Sequence, residues 1–387
     1  MSIRHYLAWL RDEALPFWLE SAADSASLFY ETLDTTGAPQ MGTLRLRTGM
    51  RQVFVFACAA QLGLTDSDRA ASLASRIYGT LRRLAFSPDG YPGWVAGFDR
   101  GGRVLDARRY LYDHAFVALA QSHLAGATGH AIYLQHLDET FAAIDLLQAP
   151  DGGWHQSDLR EPPRSQNPHM HLFEACLGAF ENTGQANHLA RAGEIFGLMT
   201  TRFFDHASGL LTEFFGPSWC RSPEFRSERL DPGHMMEWTW LLRRYQRLTG
   251  RDVDAIADTL FSSACKLGRV EGDFLVDEVD AAGGPLVDRR RLWPQTEYLK
   301  GLLVQAQAKS PAKEELLLAA DALVERIFSQ YLRNTRSGTW RDQFSLDGSC
   351  TADNIPASSL YHLMTAAPEI IRIVEAAEPG KAASSQV

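Results

Sequence analysis

AGATGH (125–130), ENTGQ (181–185) and RLTGR (247–251) are one stop signal written three times. Each closes a run of apolar residues at helical spacing, such as Leu111, Ala115 and Leu119 before the first. Each supplies a glycine for the left-handed residue that ends a helix, and another helical stretch follows at once. Each therefore marks the turn of a helical hairpin. Working outward, the second helix of several hairpins runs into a loop rich in Gly, Asp and aromatics: SPDGYPGW (87–94), APDGGWHQ (149–156), HASGLLTEF (206–214) and RSGTWRDQF (336–344). Near the start of each first helix stands one polar residue, Arg51, His114, His171, His234, Glu297 and His362, at spacings of 57 to 65 residues. A period this long with helix-turn-helix content means an array of hairpins. If the N-terminal helix partners the last hairpin, six can close into a ring. The expected fold is all-α, an (α/α)6 barrel over residues 1–375 with short β-hairpin or aromatic loops at its mouth. Residues 376–387 form a flexible tail. An open α-solenoid is the alternative, because a period does not encode curvature.

The 387 residues are 45% apolar and 22% charged, which suits a folded globular chain rather than a disordered or disulfide-built one. A net charge of -9 repels phosphate backbones and anionic lipid, so neither nucleic acid nor a membrane surface is an expected partner. No run approaches the ~20 apolar residues of a membrane span. The N-terminus interrupts any leader-like stretch with Arg4, Arg11, Asp12 and Glu13. Five scattered cysteines without a C-x-x-C pair fit a reducing cytoplasm. There is no phosphate-binding glycine loop and no dinucleotide fingerprint, and no cofactor is expected.

The blocks TGMRQVFVFA (48–57), YDHAFVALA (112–120), NPHMHLFEA (167–175), DPGHMMEWTWLL (231–242), RLWPQTEYLK (291–300) and LYHLM (360–364) resemble the N-acylglucosamine 2-epimerase family. They follow the family order along nearly the whole chain. The resemblance is nearest to the mannose isomerase branch, and it implies an α/α barrel, for whose chemistry no metal or organic cofactor is expected. It implies an aldose-ketose isomerase that interconverts D-mannose and D-fructose through an enediolate, with a sugar 2-epimerase as the alternative. The implied partner is a monosaccharide, for a chain acting as monomer or homodimer. By the family pattern His234 and His362 are the catalytic pair, and His171 and Arg51 bind sugar oxygens.

Residue chemistry bears on these roles. Histidine carries protons both ways near neutral pH, since its unperturbed pKa is ~6.5. Glu237 lies three residues after His234 on one helix face, placed to orient the imidazole or to bind a hydroxyl. Trp293 offers a flat face to a sugar, or fills core, and Glu297 reaches the same mouth. Arg51 is a donor to enediolate charge or a partner for a wall carboxylate. His114, beside Asp113, is expected in the binding shell or in support of the wall. A metal set of His169, His171, His234 and Glu237 is the competing arrangement, weakened because residues two apart diverge on a helix. A silent binding barrel and a two-carboxylate glycoside hydrolase are rivals from other classes. The polar segment 215–232, leading to His234, is expected to cover the mouth or to pack as a loop.

Overall fold

The computed structural model describes residues 2–333 and 335–377. Helices α1 (Ser2–Trp9) and α2 (Leu15–Ser21), joined by a π-helical turn at Leu10–Ala14, form an N-terminal rod. Five hairpins follow: α3 (Leu46–Gln61) with α4 (Ser67–Ala85), α5 (Leu111–Thr128) with α6 (Ile132–Asp145), α7 (Gln166–Thr183) with α8 (Ala186–Leu198), α9 (Pro232–Thr249) with α10 (Asp254–Gly268), and α11 (Leu292–Ala308) with α12 (Lys313–Ile327). The chain ends in α13 (Ser359–Thr365) and α14 (Ala367–Ala377). The three predicted stops are real: Gly129, Gly184 and Gly250 sit at φ 69°, 69° and 71° and donate to the carbonyl four residues back. Only glycine adopts that conformation without strain.

Each first helix packs on the next, and α13 packs on both α11 and α3, so the ring is closed and the solenoid is excluded. The N-terminal rod supplies the missing outer partner. Its α1 packs on α12 and α14, the Tyr6 hydroxyl donates to the Leu363 carbonyl at 2.9 Å, and Trp18 stacks on Trp340 at 5.2 Å. The sixth hairpin is thus assembled from both ends of the chain. Of the expected tail, Ala376 and Ala377 finish α14, and 378–387 lie outside the described residues. No described helix is long and apolar enough to cross a membrane.

The expected hairpin loops at the mouth are antiparallel junctions, and they follow one rule. The residues entering each inner helix pair with the loop that leaves the same hairpin's outer helix. Leu44–Arg45 pairs with Gly97–Phe98, Tyr110 with Ser157, Arg164–Ser165 with Phe214–Phe215, Leu230 with Val279, and Arg290–Arg291 with Gln343–Phe344. The last pair, Thr32–Asp34 with Asn354–Pro356, closes the circle. These junctions also serve helix starts whose N–H groups have no intrahelical partner. Leu46 donates to the Ala96 carbonyl, Leu111 to Gln156, Gln166 to Glu213 and Leu292 to Asp342. At α9 the Asp231 carboxylate takes the N–H groups of Gly233 and His234 instead.

A second device fixes the loops. His114 is fully buried, its Nδ1–H donates to the Tyr110 carbonyl (2.8 Å), and its Nε2 accepts the Trp94 N–H (3.1 Å). His169 repeats the arrangement with the Ser165 carbonyl (2.9 Å) and the Trp154 N–H (3.1 Å). Gln295 does the same work with an amide, gripping both backbone groups of Leu275 at 2.8 Å. Gly93 and Gly153 precede the two tryptophans at positive φ, and a Cβ there would meet His114 Nε2 at 2.7 Å and His169 Nε2 at 3.0 Å. The loop aromatics Trp94, Trp154 and Trp340 are therefore wall, not sugar platform, each buried to 2% exposure or less. The binding-shell placement of His114 is corrected: both ring nitrogens are consumed by backbone, and the ring does not line the cavity described below. Replacing His114 by alanine should cost about 2 kcal/mol or more, from a stranded buried Trp94 N–H and a new void. The melting temperature should drop while kcat/KM well below it stays within threefold; an activity loss beyond tenfold would return His114 to the site.

Candidate active site

Counted from the residue that caps the inner helix, the fourth position grips a loop on α5, α7 and α11, and on the five inner helices before α13 the sixth lies toward the barrel axis; on α13 the cavity residue His362 is itself at the fourth. The sixth positions are Arg51, Phe116, His171, Glu237 and Glu297. The spacing-based alignment thus placed Arg51, His171 and Glu297 in register but set His114 two residues and His234 three residues early. Unequal loop lengths hid the offset. Around these residues lies a cavity of about 380 Å³ lined by Arg51, Tyr112, His171, His234, Glu237, Trp293 and His362, with Arg45, Arg229, Asp231 and Arg291 toward its rim. It adjoins a cleft of about 710 Å³ that shares Arg45, Tyr112, Asn167, Arg229 and His234.

Three histidines reach the cavity, and each has its Nδ1 against a carboxylate. His171 meets Glu174 at 3.1 Å, His234 meets Glu213 at 3.0 Å, and His362 meets Glu297 at 2.7 Å. In every case Nε2 is the nitrogen left for a ligand. Their charge states diverge. Burial works against a charged His234, but Asp231 (3.6 Å) and Glu213 together outweigh it and lift the pKa to about 10. Burial pushes His362 well below the ordinary 6.5, and the cations Arg51 and Lys300 add to that push. His171 falls to about 4 through burial, only partly offset by Glu174, whose Oε2 also accepts from the Tyr361 hydroxyl. The cavity therefore presents one imidazolium and two neutral imidazoles. Trp293 lies between the pair, its ring 5.3 Å from His234 and 5.4 Å from His362.

Glu237 is fully buried, and neither carboxyl oxygen has a hydrogen-bond partner. Burial and the neighbouring Glu297 raise its pKa well above the usual carboxylate range, so it offers a neutral carboxyl group to the cavity. Arg51 donates from Nη2 to the Tyr112 hydroxyl at 2.7 Å, its guanidinium is 4.3 Å from the Phe116 ring centre, and its Nε has no partner. The other rim arginines are ion-paired, Arg45 with Glu31, Arg229 with Glu278 at 2.8 Å, and Arg291 with Asp277 at 2.5 Å, although Arg289 shares both of the last two acids. Ligand-capable atoms of His171, Glu174 and Glu237 cluster within 4.8 Å, as do those of Glu237, Glu297 and His362. In both groups the histidine already hydrogen-bonds a carboxylate through Nδ1. The metal set weighed from sequence does not assemble, because His169 is held in its loop latch.

Segment 215–232 is anchored rather than free. Phe214–Phe215 joins a strand pair, Trp219 is buried beneath Arg164 at 3.6 Å, and Leu230 bridges to Val279. It delivers Arg229 and Asp231 to the cavity rim. Sequence reading missed Glu213, Asp231, Tyr112 and Lys300. Glu213 stood inside the quoted HASGLLTEF loop, Asp231 opened the DPGH block, and Lys300 follows Glu297 by one helical turn on the same face.

Residues 29–366 match the family described as N-acylglucosamine 2-epimerase (GlcNAc 2-epimerase). The chain is 34% identical over 373 residues to a protein of Rhizobium meliloti (strain 1021) named mannose-6-phosphate isomerase, covering 94% of this chain and 95% of that one. It is 29% identical over 341 residues to a D-mannose isomerase of Thermobifida fusca, covering 80% of each. A crystal structure of D-mannose isomerase superposes with a TM-score of 0.86 at 22% identity, over 95% of this chain and 98% of that one. A match spanning all six inner helices, together with a relative above 30% identity over nearly its full length, establishes that the chain belongs to the N-acylglucosamine 2-epimerase family of sugar isomerases and epimerases.

Proposed function

We propose that the chain interconverts D-mannose and D-fructose as the free sugars, with His362 as the base that works on carbon and His234 as the acid that opens the ring. The observation that carries this reading is the divergence of two histidines on either side of Trp293. Neighbouring groups whose environments push their protonation states apart divide naturally into acid and base. His234, held charged by Asp231 and Glu213, donates from Nε2 to the ring oxygen as the pyranose opens, and the same nitrogen takes up the anomeric O1–H proton, which regenerates the imidazolium and leaves the C1 aldehyde. Neutral His362 then takes the C2 proton on Nε2, and negative charge moves onto O1. Arg51 supports that charge, and the neutral Glu237 carboxyl gives a proton to O1 while accepting one from O2. His362 returns its proton to C1, leaving the C2 carbonyl of the ketose. Atoms balance, with no external oxidant or reductant.

An isomerase is favoured over a 2-epimerase because epimerisation asks the second group to protonate C2 from the opposite face and, in reverse, to deprotonate it. A histidine with a pKa near 10, pinned by two carboxylates, is a poor partner for that exchange of roles. A neutral sugar is favoured over a phosphate because the rim arginines are already paired, and Arg51 lies deep among aromatic rings rather than at the rim. The mannose-6-phosphate isomerase name of one relative is the reason to test both. Incubated with D-mannose, D-fructose, mannose 6-phosphate and N-acetylglucosamine under NMR observation, the protein should turn over the first two most efficiently. N-acetylmannosamine or glucose without any ketose would replace the isomerase by an epimerase.

Replacing His234 or His362 with asparagine should cut kcat by about 100-fold or more with little change in melting temperature. A loss below tenfold at either position removes that residue from the mechanism. The rate should fall on the alkaline side as His234 loses its proton near pH 10. Glu213→Gln takes away one of the charges that favour the imidazolium, so this limb should move to lower pH by about 1 unit or more. An unmoved limb would dissociate His234 from the alkaline titration. Because charge is met by Arg51 and a carboxyl group, turnover should also survive exhaustive chelation. Loss with recovery on one divalent ion would favour metal assistance instead.

A further inference from the structure

Lys300 lies one turn beyond Glu297 on α11 and has no exposure at all. An ammonium so deep is costly unless something in the core needs its charge. Its Nζ is 2.6 Å from Glu297 Oε2, donates to Thr365 Oγ1 at 3.0 Å, and sits 3.6 Å above the Trp240 ring. The other oxygen of the same carboxylate, Glu297 Oε1, meets His362 Nδ1 at 2.7 Å. Lys300, Glu297 and His362 form an unbroken chain from a core cation to the imidazole at the cavity wall.

We infer that Lys300 is a positioning residue that sets the tautomer of His362 by keeping Glu297 able to accept a proton from its Nδ1. This deepens the reading of His362 as the base and rests on it. An imidazole can take a carbon proton on Nε2 only if its own proton resides on Nδ1, and only an ionised Glu297 holds it there. The surroundings oppose that ionisation. Glu174 on α7 repels a charge at Glu297, and the neutral Glu237 on α9 does nothing to offset it, while Tyr6 on α1 and Tyr361 on α13 are also close. On the favourable side stand Lys300 and, from α9, the charged His234. Around His362 itself the facing groups are the cations Arg51, Lys300 and Arg291 and the neutral, titratable His171. Burial still lifts Glu297 to about 7 despite Lys300. Without the ammonium, Glu297 takes up a proton, becomes a donor to Nδ1, and drives the imidazole into the Nε2–H form, which cannot act as the base.

The test is histidine nitrogen NMR on full-length protein, with the His362 signals assigned by their loss in His362→Asn, combined with pH-rate profiles. In wild type at pH 8, His362 should be protonated on Nδ1 and bare on Nε2. In Lys300→Met the proton should move to Nε2. Its kcat at pH 7 should fall by about tenfold or more with KM within threefold, and the acid limb should move to higher pH by about 1 unit or more, so that activity recovers on raising the pH. Thr365→Val, a gentler change that frees the ammonium from its hydroxyl partner, should shift the limb in the same direction by less, and it decides the matter if Lys300→Met fails to fold. A wild-type Nε2–H tautomer, or an unmoved tautomer and acid limb in the folded variant, overturns the inference. If the wild type converts no hexose, the proposed reaction fails, yet the tautomer comparison still reads the role of Lys300.

Discussion

All six inner helices have to begin at the same mouth, and everything chemical in this protein depends on that shared origin. The strand junctions enforce it, since each ties the entry of an inner helix to the exit of its own outer partner. Counting from the caps then becomes meaningful on α5, α7 and α11: four residues in, a side chain reaches outward to a loop, and two residues later another reaches the axis. The same convergence brings helix starts, with their partial positive charge, around the place where an enediolate would form. A cavity built mainly from carboxylates and imidazoles thus gains a background field that no single side chain supplies.

Within that frame, three histidine–carboxylate pairs of nearly the same geometry behave differently because of what stands behind them. His234 has a second carboxylate, Asp231, within 3.6 Å, and it is charged. His362 has Arg51 on one side and Lys300 behind its carboxylate, and it is neutral. His171 shares Glu174 with a tyrosine hydroxyl. A buried hydrogen bond alone does not decide protonation; the sum of nearby charges in a medium that screens them poorly does. Loss of one distant member of such a network is therefore felt at a ring that it never touches.

The sequence made the hairpins plain because a Thr-Gly turn followed by a fresh helix has a local physical cause, and that cause is present in the structure at Gly129, Gly184 and Gly250. The ordered motif blocks carried the family resemblance. Exact register was not legible, since loops of different length separate the helices, and a histidine attracts attention whether it faces the axis, as His171 does, or a loop, as His114 and His169 do. The G-W pairs at 93–94 and 153–154, with a histidine 20 and 15 residues further on, were the signal of the latch. Glu213 and Glu297 were harder because the bond that gives each its meaning joins it to a histidine 21 or 65 residues away.

The sixth hairpin, shared between the two chain ends, has a consequence for biosynthesis. The Thr32–Asp34 strand is made early and pairs on one edge with nearby Pro39–Gln40, but its other edge stays open until Asn354–Pro356 emerges, and Tyr6 waits for a carbonyl 357 residues downstream. During translation at about 5 to 20 residues per second, the N-terminal rod must hold Tyr6, Trp9 and Trp18 uncovered for tens of seconds. The hairpins between can form locally as they appear, but His362 enters only with the segment that completes the circle. A nascent or truncated chain is thus most exposed to misassembly at its beginning and acquires its proposed catalytic pair only at its end.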